Sequence, residues 1–130
     1  MAVTKRINHD YRAAAKIPGK FLTFTQKVRR SLTVNPNYTE AVWGPYWATL
    51  QRFFQEQDQL ETIYQQASNG DRIYIRERDK LIEAMVLTLD EMASFLEAVS
   101  TRNPDALFTT GFTVCQERRS TSPTMPIMIA

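Results

Sequence analysis

At 130 residues, with 43% hydrophobic and 23% charged side chains, the chain has room for one ordinary domain, which speaks against a two-domain enzyme. No apolar run approaches the ~18 residues that span a bilayer, no secretory apolar region follows the basic N-terminus, and the single Cys115 has no internal disulfide partner. A soluble protein of the reducing cytoplasm, with no membrane partner, is therefore expected; its net charge of +2 conceals a basic start, because residues 1–34 hold eight Lys/Arg against Asp10 alone.

Residues 1–20 show no sustained apolar period, and Ile17-Pro18-Gly19 is a turn signal, so a basic, extended or loosely held arm is expected there, with short helical character at Tyr11–Lys16. From Phe21 the pattern changes. Phe21, Phe24, Val28 and Leu32 recur at steps of three and four, giving a helix with one apolar and one cationic face. Asn35-Pro36 stops it, since the residue before a proline avoids the α region. A second helix is expected from Gly44-Pro45 to about Ser68, with its seam at Tyr46, Leu50, Phe53, Gln57, Leu60, Tyr64 and Ala67. Asn69-Gly70 closes it and Asp71 is placed to cap the next.

That third helix runs from Asp71 toward Arg102 without Gly or Pro, with a seam at Ile75, Ile82, Met85, Leu89, Met92, Leu96 and Val99. Two long amphipathic helices across a tight turn make an antiparallel hairpin. Asn103-Pro104-Asp105 begins a short fourth helix through Phe108, and Phe112-Thr113-Val114 is extended after the break at Gly111. The end, Met125-Pro126-Ile127-Met128-Ile129-Ala130, is apolar and proline-broken, so it either folds back on the bundle or docks on another subunit.

From Phe24 onward, Leu32-Thr33-Val34-Asn35-Pro36-Asn37-Tyr38, Asn69-Gly70-Asp71 and Ala106-Leu107-Phe108-Thr109-Thr110-Gly111-Phe112-Thr113-Val114 recur in a recognisable order. In these motifs, across roughly residues 24–116, the chain resembles a family of uncharacterised bacterial helical-bundle proteins, some of which carry a fibronectin type III-like domain after the bundle. The chain departs from the family by stopping soon after the bundle and by its basic arm and apolar tail. The resemblance implies a four-helix-type bundle with no known catalytic role, and it transfers no site residues.

The chemistry on offer is sparse. His9 and Cys115 are the only residues of their kinds, which excludes a zinc site built within one chain; no Glu-x-x-His pair exists for a di-iron site, and the four glycines are isolated. A Cys–His nucleophile would need Cys115 beside His9, and burial of Cys115 behind the Phe112 segment is the simpler expectation. Asp58/Glu61 and Asp79/Glu83 lie one helical turn apart, but Arg76 and Lys80 nearby favour a solvated, ion-paired face. Among the aromatic residues Tyr38, Trp43, Tyr46, Trp47, Phe53 and Phe54, core packing is expected, with Tyr38 and Trp43 remaining accessible as interface residues.

The expectation is an all-α fold: an up-down helical bundle built on a long antiparallel hairpin, with a shorter N-terminal helix, a short C-terminal helix and extended tails. Residues 1–20 form the arm, 21–116 the bundle and 117–130 the tail. No catalytic residues, metal or cofactor are expected. The expected role is structural, in a homo-oligomer or larger protein assembly gripped through Tyr38, Trp43, Ile127, Met128 and Ile129. Lys5, Arg6, Arg12, Lys16, Lys27, Arg29 and Arg30 would meet either an acidic protein surface or the phosphates of a nucleic acid, unless the arm is merely solvated.

Overall fold

The computed structural model describes residues 3–118. In chain order the elements are β1 (Val3–Ile7), α1 (Tyr11–Ala14), α2 (Pro18–Thr33), α3 (Glu40–Trp43), α4 (Trp47–Ala67), α5 (Arg72–Val99) and β2 (Val114–Arg118), with 3-10 turns at Gly44–Tyr46 and Pro104–Thr109. The fold is mainly helical, as the periodicity requires, and carries one small antiparallel ribbon, β1 against β2.

Helices α4 and α5 pack on each other because their apolar residues recur at helical spacing on one face of each. Leu50, Phe53, Leu60 and Ala67 of α4 and Ile82, Met85, Leu89, Met92 and Leu96 of α5 are buried. The pairing is antiparallel. Arg52 donates to Glu91 at 2.6 Å, and one turn further along α4 Glu56 accepts from Thr88, nearly one turn back along α5, at 2.9 Å. The connection follows the expected chemistry: Gly70 takes φ 86°, the left-handed conformation that ends a helix, and the Asp71 carboxylate accepts from the Ile73 N–H at 2.9 Å as an N-cap. Burial falls off toward the hairpin ends, so Tyr64 and Ile75 are half-buried while Tyr46 and Val99 stay exposed.

Helix α2 covers the hairpin with Phe21, Thr25, Val28 and Leu32. It begins earlier than expected. Pro18 lies in its first turn, where a missing N–H costs nothing and the fixed φ suits the helix, so Ile17-Pro18-Gly19 is an entry rather than a turn. At the other end Asn35 reaches back to the Ser31 carbonyl at 3.0 Å and across to the Thr109 carbonyl at 2.9 Å, satisfying an orphan helix acceptor and tying α2 to the C-terminal turn.

Three sequence expectations are corrected. First, the N-terminal segment is extended, with a helical turn at Tyr11–Ala14, but it is not loosely held: β1 pairs with β2 in the register Ile7↔Val114 through Val3↔Arg118. The Asn8 N–H bonds Thr113, so the neighbouring Ile7 N–H points away from β2, and it donates to the Glu97 carboxylate of α5 at 2.6 Å. One edge of the ribbon is thereby closed by a side chain. Second, the helix expected from Gly44-Pro45 opens as a 3-10 turn over Gly44–Tyr46 and becomes α4 only at Trp47, and a separate helical turn, α3, precedes it at Glu40–Trp43. Third, the segment after Asn103 is a 3-10 turn, whose Gly111 exit has φ 85°. A Cβ on Gly111 would lie 2.8 Å from the Val28 Cα and 3.0 Å from the Lys27 carbonyl, so glycine is needed for both its conformation and its close approach to α2.

Candidate interaction surfaces

The structure removes both aromatic interface candidates from the surface. Trp43 is 0% exposed and stacks on Phe95 with ring centroids 4.6 Å apart. Its indole N–H has no hydrogen-bond partner among the described residues, so apolar packing holds the ring in place. Tyr38 is buried and shares a 2.5 Å hydrogen bond with Ser100; burial pushes its phenol pKa up, and the Ser100 bond partly offsets this. Tyr38 ties the α2–α3 connection, and Trp43 ties α3 itself, to the C-terminal end of α5. Ile127, Met128 and Ile129 lie outside the described residues.

The basic candidates separate into two groups. Lys5 pairs with Asp105 at 3.0 Å and lies over the Phe108 ring. Arg12 donates to the Asp90 carboxylate at 3.0 Å, on the same oxygen that accepts from the buried Tyr11 hydroxyl at 2.5 Å. Burial first, and then the Asp90 bond, raises the Tyr11 pKa well above its ordinary value. Arg29 donates to the Gln57 side-chain carbonyl at 2.8 Å, pairs with Asp58 and covers the Phe54 ring. Gln57 is fully buried, and its amide in turn donates to Glu61 at 2.7 Å. These cations are fastened to the chain's own acids and fix α1 on α5 and α2 on α4. Lys16, Lys27 and Arg30 are exposed, as is Arg6, which also makes a contact within the fold.

Exposed apolar residues at one end of the hairpin form a second kind of surface. The rings of Tyr46 and Phe95 lie 4.9 Å apart on the outer side of the Trp43 stack. Within one turn of that stack lie Val42 on α3 and Val99 on α5; Val42 is 41% exposed, Tyr46 47% and Val99 43%. Tyr46 and Val99 were expected in the hairpin seam. Their phase is right, but among the described residues no element covers this end of it.

His9 and Cys115 do come to one shallow cleft of about 380 Å³, with Arg6, Ile7, Asn8 and Glu97, because the strand register brings Arg6 opposite Cys115. No hydrogen bond joins His9 to Cys115 among the described residues. His9 is exposed and meets the Tyr11 ring edge-on, and Cys115 is half-buried rather than sealed. A second open cleft, of about 470 Å³, has an apolar floor of Ala15, Pro18, Ile82 and Val86 between Lys16, Arg78, Asp79 and Glu83. Asp58 and Asp79 are each engaged by an arginine, Arg29 and Arg78, which accords with an ion-paired face. Among the described residues no group of three His, Cys, Asp or Glu is disposed to hold a metal, and no helix is long and apolar enough to cross a membrane. Comparison with protein-family models, curated proteins and solved structures gave no match.

Proposed function

We propose that the protein is a non-catalytic interaction subunit that self-associates, with the surface around Tyr46 and Phe95 at the centre of the contact. The observation that carries this reading is the exposed Tyr46 ring on the Trp43–Phe95 stack, with the exposed Val42 and Val99 within one helical turn of the stacked residues along the chain. Aromatic residues anchored by packing lose little freedom on binding, and apolar area removed from water contributes about 25 cal/mol per Å². Two copies related by a two-fold axis present the same patch to each other, so no second kind of surface is required. A standard interface buries roughly 800 Å² per partner, so the cluster is its core and the polar residues around it form the rim.

The chain ends enter this reading differently from their sequence-based expectation. Residues 3–7 are engaged with β2 and Glu97 and so enter this reading as part of the fold, while Ile127, Met128 and Ile129 lie outside the described residues.

Light scattering on the wild type and on a Val42→Ser/Val99→Ser variant tests the reading. The wild type is expected to have a dimer's mass at tens of micromolar, and the variant to be monomeric with unchanged circular dichroism. A monomeric wild type, or a variant that still dimerises, overturns it.

A further inference from the structure

A different surface has a different chemistry. Helix α2 contains Lys20, Lys27, Arg29 and Arg30 and no acidic residue. Arg29 turns toward α4 and is engaged by Asp58 and Gln57. At 100° per residue Lys20, Lys27 and Arg30 fall within an arc of about 80° that faces away from the buried Phe21, Val28 and Leu32, and all three are exposed. They span about 15 Å along the helix, with the exposed Thr23 between them.

We infer that this outer face of α2 binds the phosphate backbone of duplex nucleic acid through Lys20, Lys27 and Arg30, without regard to base sequence. Three features select that partner. A strip of one charge sign on a rigid helix complements a polyanion whose phosphates are regularly spaced. The helix offers no exposed aromatic ring for stacking unpaired bases: Phe21 is buried, and Phe24 packs between Tyr11 and Phe112 at centroid distances of 5.6 and 5.7 Å. A duplex, with its bases already stacked, needs phosphate contacts alone. The acids of a second copy make a poorer match: on α4 Glu56, Asp58 and Glu61 are engaged by Thr88, Arg29 and Gln57, and along the exposed face of α5 Glu77 and Glu83 alternate with Arg76 and Lys80. Exposed apolar residues flank the strip at its ends, Ile17 and Val34, rather than interleaving with the cations as insertion into a lipid surface would require.

The test is a salt series of fluorescence anisotropy with two unrelated duplexes of about 20 base pairs, on the full chain. Three phosphate contacts predict a slope of log K against log salt of about −3, hence a roughly 40-fold loss of affinity between 50 and 200 mM salt, alike for both duplexes. A Lys27→Ala/Arg30→Ala variant is expected to lower the slope to about −1. Arg52→Ala, an exposed base of α4 paired with Glu91, leaves it unchanged. The inference is overturned by absence of binding at low salt, by a slope the double variant does not alter, by strong preference for one duplex, or by binding to phosphatidylserine vesicles without binding to duplex. Because the strip lies apart from the Tyr46 surface, these outcomes are independent of the dimer mass.

Discussion

The α4–α5 hairpin and the β1–β2 ribbon are held by different physics. In the hairpin, each helix closes its own backbone hydrogen bonds and presents a periodic stripe, so partners such as Arg52 and Glu91 meet because two regular surfaces face each other. The ribbon joins residues more than a hundred positions apart, and its edge is closed by a side chain from a third element, Glu97. Regular local structure tolerates substitution at many sites. The ribbon depends on a few individual contacts, and these are where small changes have large effects.

The largest is expected at Gly111, where the chain turns from the 3-10 segment into β2. In Gly111→Ala the side chain would occupy a left-handed conformation at φ 85° and sit 2.8 Å from the Val28 Cα, at a combined cost of about 3 kcal/mol. Urea unfolding should show the loss; a variant within half a kcal/mol of wild type would mean the ribbon is not held against α2 as described. Glu97→Ala is expected to cost about 1–2 kcal/mol by leaving the Ile7 N–H without its carboxylate. Faster amide exchange confined to Ile7 and its neighbours, with helix content unchanged, distinguishes ribbon loosening from loss of the hairpin.

The smallest effect is a pH dependence. Tyr11 and Tyr38 have phenol pKa values raised by burial, which favours the protonated form in the fold. Their contribution is complete below the unfolded tyrosine pKa near 10 and is lost as pH rises above it, because the unfolded chain then releases protons the fold retains. Tyr11→Phe should therefore flatten the fall in stability above pH 10 without altering stability's slope at neutral pH. An identical alkaline limb in wild type and variant would contradict the assignment.

What could be read in the sequence follows the same division. The stripes through Leu50–Ala67 and Ile82–Leu96, the Gly70 turn and the Asp71 cap are local patterns, and local patterns survive in one sequence. The strand pairing of residues 3–7 is not local, and without an apolar period the segment reads as an extended or loosely held arm. Trp43 stands before the hairpin helix, as expected, but its burial depends on Phe95, far away in the chain, stacking on the ring, and no local pattern shows that. Of the candidate site, the cationic face of α2 was visible from composition. Its division into engaged Arg29 and exposed Lys20, Lys27 and Arg30 depends on where α4 lies, a fact of packing alone.

Amide hydrogen exchange at low and high protein concentration tests most directly whether the helical body, and not the N-terminal segment, makes the contact. The predicted result is that amides around residues 42–46 and 95–99 gain protection as concentration rises, while Ile7 and Asn8 are protected at both concentrations. Protection that appears at residues 5–8 only at high concentration, with 42–46 and 95–99 unaffected, would contradict it.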